Sequence, residues 1–489
     1  MLTPYFTESI MQESIHENEF REQRIANMKA LETLGYTAFG GAYERTGTVG
    51  AVRAAFEEGR SARMAGRVVA LREMGKSIFA HIQDATGRFQ VYVRKDVIGD
   101  DAFKAFKLID LGDHVGMEGE LFVTKMGEPS LKVARWELLS KALLPLPAKW
   151  HGLQDVEIRY RQRYLDLLSN ADVCAVFRNR SLAVKAIRDF LFDRAYLEVE
   201  TPMMQSMPGG AAAKPFKTHY EALNADVYLR IAPELFLKRL LVGGYDRVFE
   251  LNRNFRNEGL SRFHNPEFTM LEIYEAYGNV RTMMTLVTDL ITHVANTVYG
   301  SLVFGEGEQT IDLTAPWREV PYRDLVRERA GADWFELDLD GKRAKAESLG
   351  LSIAPDWNEI EVTQEVFEKL IEKTLQHPTF VTRLPVELVP LAKTCTDDPE
   401  SVDVFELVIG GREIAPGYEE LNDPLEQRRR FEQQADGDPS KVDEDFLLAL
   451  EHGMPPAGGM GIGIDRLIMI LSGVEAIRDV ILFPQLKQK

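Results

Sequence analysis

Cysteine is nearly missing. Cys174 and Cys395 are the two thiols among 489 residues. They lie far apart, which argues against a disulfide framework or a zinc site and fits a reducing cytoplasm with two inert thiols. No apolar run is long enough to span a bilayer, and the polar, acidic stretch after Phe6 does not read as a secretory signal. Internal repeats and low-complexity tracts are absent as well. Net positive charge is absent: the balance of −18 argues against a general nucleic-acid binder. The late glycine-rich stretch lacks the Gly-Lys-Ser/Thr ending of a phosphate-binding loop, and no acidic partner can be placed for a dinucleotide fingerprint.

What is present suits a large globular protein. Hydrophobic residues make up 45% of the chain, and the length predicts roughly three domains. Residues 1–61 read as a helical extension. Phe20, Ile25, Met28, Leu31 and Leu34 sit near helical spacing before Gly35, and a second short helix is expected over Val49–Glu58. Residues 62–147 change to short alternating runs: Ala65–Leu71, Ser77–Gln83, Phe89–Arg94, His114–Thr124 and Leu131–Leu138, with a helix over Asp100–Ile109. Five strands with one helix between the third and fourth is an OB-fold pattern, a barrel that often stacks single-stranded bases on aromatics. Phe79, His81 and Gln83 share one side of the second strand. Core packing of Phe79 is an equal alternative. From Arg63 to Pro145 there are 13 Lys/Arg against 11 Asp/Glu, so the acidity lies elsewhere.

Leu144-Pro145-Leu146-Pro147 reads as a stiff linker. Residues 148–489 are mixed α and β. Ser181–Ala195 predicts an amphipathic helix with Ala183, Ala186, Ile187, Phe190 and Leu191 on one stripe, followed by a strand over Tyr196–Glu200. Gly209–Ala213 is a small-residue loop able to close over a ligand. A helical, charged insertion is expected near 320–380.

The densest chemistry lies in Val248–Tyr274. Two alternating runs flank a loop with Arg253, Arg256, Glu258, Arg262 and His264, shaped by Gly259 and Pro266. On the second run Phe268, Met270, Glu272 and Tyr274 share one face. An aromatic to stack on, arginines for an anion and carboxylates for an amine suit a nucleotide plus an amino acid. A solvated hairpin with ordinary ion pairs is the plainer reading, and the density of groups weighs against it.

Two later segments add to this. Glu406, Glu413 and Glu420 recur every seven residues. Two helical turns would put them on one face, but Gly410-Gly411 and Pro416-Gly417 favour a strand–turn–strand. Converging carboxylates suit Mg²⁺, although three solvated glutamates are the better reading on spacing alone. Gly458–Gly473 predicts a glycine-rich strand entering a helix at Ile464-Asp465-Arg466, with Arg466 where a helix N-terminus favours phosphate.

The three segments together resemble the signature motifs of class II aminoacyl-tRNA synthetases. Glu200-Thr201-Pro202 ends motif 1, Phe255-Arg256-Asn257-Glu258 lies in motif 2, and Gly461–Arg466 is motif 3. Within the class, RYRQRYLDL, YLRIAPELFLKRL, RNFRNEG, HNPEFTMLE, ELNDP and IRDVILFP are similar to lysyl-tRNA synthetases of the bacterial type. The resemblance runs from about residue 20 to the end. It implies an α+β protein: an anticodon-binding OB domain, then an antiparallel sheet flanked by helices, dimerised through motif 1. It implies ATP, L-lysine and tRNA(Lys) as substrates, Mg²⁺ as cofactor, and two steps: lysyl-adenylate formation with release of pyrophosphate, then transfer to the 3′ end of tRNA.

The resemblance also implies roles. Arg256 would contact the α-phosphate and the lysine carboxylate. Glu258 would hold the adenine end, Phe268 would stack on the ring, and His264 and Arg466 would meet the γ-phosphate, with Asn265 also in the ATP site. Glu406 and Glu413 would bind Mg²⁺. Gly210, Glu234 and Glu272 would receive the α-amino group, and Tyr274 and Glu420 the ε-ammonium. Arg72, Phe79, Gln90 and Glu128 would contact a U-rich anticodon. The chain departs from the family pattern in four places: Pro416 replaces Asn, Thr394-Cys395-Thr396 replaces a basic stretch, Val404 replaces Arg, and Ala195 replaces Gly. Competing readings are a relative that lysylates another acceptor, which would lack the barrel, and a non-catalytic synthetase-like RNA-binding protein. The aspartate or asparagine enzyme is a third, disfavoured by Glu420 and Tyr274.

Overall fold

The computed structural model describes residues 4–147, 153–211, 213–435, 437–438 and 442–487, with side chains from residue 18 onward. Ala212 of the small-residue loop lies outside the described residues. The chain forms two compact units, Met1–Gln154 and Asp155–Lys489.

In the first unit a helix over Pro4–Thr33 precedes a closed barrel. Of the expected helix stripe, Leu31 is buried, Ile25 and Met28 are half-buried, and Phe20 and Leu34 are exposed. The second helix stops at Ala54, short of Glu58, capped at its start by the Thr48 side chain. The barrel strands are β1 (Ser61–Met74), β2 (Ser77–Asp84), β3 (Gly87–Arg94), β4 (His114–Val123) and β5 (Pro129–Ser140), in the order β1-β2-β3-β5-β4. Alternation builds the interior. Ile78, Ala80 and Ile82 point inward with Val91 and Val93, while Phe79, His81 and Gln83 stand outside. Gly75, at a φ of +61°, permits the two-residue turn that sets Met74 opposite Ser77. The predicted helix starts at Asp100 as expected but ends at Phe106, and a further short helix, Lys95–Ile98, precedes it across Gly99.

The second unit centres on an eight-stranded sheet. Its strands are β6 (Leu197–Glu198), β10 (Arg247–Phe255), β11 (Glu267–Ala276), β14 (Arg318–Pro321), β15 (Thr379–Thr382), β16 (Val404–Val408), β17 (Glu413–Glu419) and β18 (Ala457–Gly463). The order is β14-β15-β16-β17-β18-β11-β10-β6. Two smaller sheets hold β7 (Met204–Gln205), β8 (Lys217–Tyr220) and β9 (Ala225–Leu229), and β12 (Val303–Phe304) with β13 (Ile311–Asp312). The expected antiparallel sheet is mixed, because both edge pairs, β14 with β15 and β10 with β6, are parallel.

That edge also accounts for the helical stretch expected near 320–380. Parallel neighbours need a crossover, and the helices Tyr322–Ala330, Leu339–Ser348 and Glu359–Val366 form it, around buried Trp334 and Phe367. The helical segment joins β14 to β15.

The motif 1 helix starts earlier than predicted and runs Ala171–Phe192. Ser181 does not cap it; its hydroxyl donates back to the Phe177 carbonyl at 3.2 Å. Ala183, Ala186, Ile187, Phe190 and Leu191 are all buried, in one core with the helix Val280–Val294 and the inner faces of β11 and β18. The following strand keeps only Leu197–Glu198, because it pairs on one side, with Val248 and Phe249. Pro416 is tolerated in β17 because the ladder to β18 begins one residue later, at Gly417. Val404 is buried in the crossover core, and the Thr394 hydroxyl accepts from Arg430 at 2.7 Å.

Candidate active site

Strand β11 carries the site. Thr269, Leu271 and Ile273 face inward and are buried, which commits Phe268, Met270, Glu272 and Tyr274 to the opposite face. Register with β10 sets Phe268 opposite Asn254 and Glu272 opposite Glu250, so the strands deliver the loop between them to the Phe268 end.

At that end lies a cleft of about 200 Å³, lined by Arg256, Glu258, His264, Asn265, Phe268, Glu413, Pro416, Asp465 and Arg466. The loop is tied down at Arg256, whose N–H donates to the Pro266 carbonyl at 2.9 Å, and at Asn257, whose N–H reaches the Lys214 carbonyl at 2.7 Å. The Arg256 guanidinium lies 5.1 Å from the Phe268 ring centre, a cation–π contact on the ring expected to stack on adenine. His264 is held at Nδ1 by the Ser261 hydroxyl (2.8 Å) and at Nε2 lies 3.3 Å from Arg466 Nη2. Burial first, then the positive charge of Arg466, lowers its pKa, so its imidazole is neutral at neutral pH. Asn265 is nearly buried; its amide donates to the Glu267 carbonyl at 2.6 Å and its oxygen accepts from Gln485 N.

Motif 3 reaches the cleft by strand-to-helix continuity. β18 ends at Gly463 and the helix Ile464–Ser472 begins at once. Asp465 fixes it: one carboxylate oxygen accepts from Thr269 N at 2.7 Å and the other pairs with Arg180 at 2.6 Å. Arg180 comes from the motif 1 helix, so one buried carboxylate joins all three motifs.

Glu406 and Glu413 stand on β16 and β17, in the strand–turn–strand the sequence predicts. Burial, then Glu413, Glu372 and Glu368, pushes the Glu406 carboxyl well above its usual range. Among the described residues no group of three or more His, Cys, Asp or Glu is arranged to hold a metal ion.

At the other end of the β11 face is an anionic pocket. Tyr274 donates to Glu272 at 3.3 Å, and both are buried. Glu234 opens the helix Glu234–Val242, and Glu420 follows β17; both are buried. Gly210 lies beside Glu234, where an added Cβ would stand 3.0 Å from the Glu234 Cβ. A methyl on Gly459 would collide with Glu420 Oε1 and the Tyr274 ring, so that position on β18 is held open for the pocket. Burial raises Glu272 and Glu420 to about 8, and the Glu234 charge adds to both. Arg256 lowers Glu272, which links this pocket to the cleft.

Sequence reasoning missed Lys238. It is fully buried, 2.7 Å from Glu234 Oε1 and 2.5 Å from Glu420 Oε2. The visible signal was Glu234 four residues before a lysine on one helix.

On the barrel, Arg72 and Phe79 are register partners, and Phe79 stacks on Tyr92 with ring centres 4.5 Å apart. Gln90 donates to Glu128 at 2.9 Å and accepts from Ser130, and His81 lies 3.3 Å from the other Glu128 oxygen. The four expected residues thus share one outer face with His81 and Tyr92. Tyr92 was legible as Gln90's alternation partner on β3. Cys174 is exposed and Cys395 buried beside Asp403; burial raises both thiols, Cys395 to about 12, as inert thiols require.

Comparison with known proteins gives each unit a family. Residues 155–487 match tRNA synthetases class II (D, K and N), and residues 62–139 match the OB-fold nucleic acid binding domain. The lysine–tRNA ligase of Syntrophomonas wolfei is 49% identical over 482 residues, covering 96% of this chain and 98% of its own. That of Bacillus subtilis is 47% identical over 497 residues, covering 98% and 100%. A family match over residues 155–487 and relatives of this identity over nearly the whole chain carry the conclusion: the chain belongs to the lysine–tRNA ligase family of class II tRNA synthetases.

Proposed function

We propose that the cleft and the anionic pocket are the ATP and lysine subsites of one adenylation centre. The observation that carries this is β11 itself, which presents Phe268 to the cleft and Glu272 and Tyr274 to the pocket on one face. Lysine seated in the pocket, with its carboxylate toward Arg256, aims a carboxylate oxygen at the α-phosphorus. That O–P bond forms, the bond to pyrophosphate breaks, and lysyl-adenylate results. A hydroxyl of the tRNA 3′ end then attacks the lysyl carbonyl carbon and AMP leaves.

Positioning and charge neutralisation suffice for such a displacement, which accounts for the lack of a nucleophile–base pair. Arg256 and Arg466 steer the phosphates. Neutral His264 offers a hydrogen bond there, and Glu258 and Asn265 border the nucleotide. Phe268 takes the adenine ring once Arg256 has moved onto the phosphate. Gly210, Glu234 and Glu272 receive the α-ammonium, Tyr274 and Glu420 the ε-ammonium.

Glu406 and Glu413 fit Mg²⁺: Glu413, Glu372 and Glu368 crowd Glu406 and raise its carboxyl, a repulsion a divalent cation would relieve, and Mg²⁺ commonly binds one or two carboxylates with phosphates and water supplying the rest. When bound, Mg²⁺ neutralises phosphate charge.

Arg72, Phe79, Gln90 and Glu128 read the anticodon. A second copy covers the motif 1 helix, on which Leu182 and Phe192 are exposed. No helix among the described residues is long and apolar enough to cross a membrane, and the separated, inert thiols suit the cytoplasm.

Aminoacylation of tRNA(Lys) with labelled lysine tests this reading. Lysine esterified to the 3′ end supports it, and adenylate formation without transfer to tRNA opposes it.

A further inference from the structure

The pocket contains a cation of its own. Lys238 is fully buried in the helix Glu234–Val242, and its ammonium bridges Glu234 and Glu420, two carboxylates from separate elements. The other ionisable groups around them are Glu272 and Tyr274 on β11 and Tyr418 on β17. Beyond these, Glu250 is already paired with Arg230 at 2.6 Å, and Arg256 faces Glu272 from the cleft side. Gly459 packs against Glu420 Oε1 and leaves that carboxylate little room to swing.

Charge counting gives the bridge a meaning. Glu234, Glu272 and Glu420 are three buried carboxylates against one resident ammonium. Two carboxylates are left to be matched, the number of ammonium groups on a diamino acid. An amino acid with one ammonium would leave a buried carboxylate uncompensated, which is costly in a dry site.

We propose that Lys238 is a positioning residue for amino-acid specificity: a resident counter-ion that favours the ionised Glu420 carboxylate and aims it at the side-chain ammonium of the substrate. This rests on the reading of Glu420 as the side-chain partner. Without Lys238, Glu420 would sit desolvated beside Glu234 and hold its proton to still higher pH.

Lysine-dependent ATP–pyrophosphate exchange by Lys238→Met, Lys238→Arg and Glu420→Gln, at pH 7 and pH 9, tests the proposal. Lys238→Met is expected to raise KM for lysine roughly tenfold or more at pH 7, the factor for one unit of upward shift in Glu420. KM for ATP should stay within about twofold, and the lysine deficit should shrink at pH 9 as Glu420 ionises. Lys238→Arg keeps the charge and should restore most of the lysine affinity.

A folded Lys238→Met with wild-type KM for lysine, or with the same deficit at both pH values, overturns the proposal in favour of a packing role. Should the Met variant not fold, Lys238→Arg decides alone: KM for lysine within about threefold of wild type supports a charge role, and a loss as large as in Glu420→Gln contradicts it. Glu420→Gln separates the two levels. If that variant binds lysine normally, the pocket assignment fails. If it is impaired while Lys238→Met is not, only the role of Lys238 fails.

Discussion

Arg466 Nη1 donates to the main-chain carbonyl of Glu413 at 2.8 Å, and the Glu413 carboxylate stands 3.5 Å from the same nitrogen. The contact ties motif 3 to β17 and pre-orients the Arg466 guanidinium. A lysine there keeps the charge but cannot hold the carbonyl and reach phosphate with one planar fork. Arg466→Lys is therefore expected to lower kcat for pyrophosphate exchange by roughly 10²-fold, the usual cost of one transition-state donor, with unchanged KM for lysine. Steady-state exchange kinetics check this.

Glu420→Gln should raise KM for lysine by about 10²-fold or more, since it removes the charged partner of a desolvated ammonium, and should leave KM for ATP nearly unchanged. Sites that pair a buried polar group can discriminate by roughly 10⁴-fold, so selectivity against amino acids with uncharged side chains should fall too. Titrating each substrate in the variant provides the comparison.

The pH dependence follows from Glu272 and Glu420, both raised by burial to about 8. An acid whose folded pKa lies above its unfolded value binds its proton more tightly in the folded state. Their contribution to the stability of the ligand-free protein is thus full below the unfolded carboxylate range and is lost as pH rises through about 8. In the proposed pocket lysine pairs with both carboxylates in their ionised form, so its affinity should increase from pH 6 to pH 8.5, and its thermal stabilisation of the protein should grow in parallel. A flat lysine affinity over this range would count against the pocket.

Ala195 has a φ of +61°, where the family pattern carries glycine. An L side chain in that region costs roughly 1–2 kcal/mol, partly offset by the greater freedom glycine has when unfolded. Ala195→Gly should raise unfolding free energy by about 0.5–1 kcal/mol without altering either KM. Denaturant titration would show this as a higher midpoint at constant slope.

Phe79→Ala removes the outer half of the Phe79–Tyr92 stack. A stacked base is worth roughly 1–3 kcal/mol, so KM for tRNA should rise by about tenfold or more while tRNA-independent pyrophosphate exchange stays at the wild-type rate.

Much of this was legible in the sequence where a local period decides the outcome. The run Ile78–Gln83 alternates, and the barrel buries its inner half as that alternation requires. Gly410-Gly411 forced a turn between Glu406 and Glu413, so those carboxylates stand on paired strands. What stayed hidden depends on pairing at a distance. The parallel edges arise from the crossover that joins β14 to β15, and no local pattern marks its return. Lys238 had a visible helical partner in Glu234, but its contact with Glu420 joins elements remote in sequence, and only the packed sheet brings them together. The Arg256–Phe268 contact is equally tertiary: each residue had a role from its type, and their mutual stacking had none.

The most direct test of the central claim is ATP–pyrophosphate exchange by the purified protein, without tRNA, with each amino acid supplied in turn. Exchange with lysine and with no other amino acid is the predicted result. Exchange driven best by a different amino acid would contradict the Glu420–Tyr274 pocket, and no exchange with any of them would contradict the adenylation centre itself.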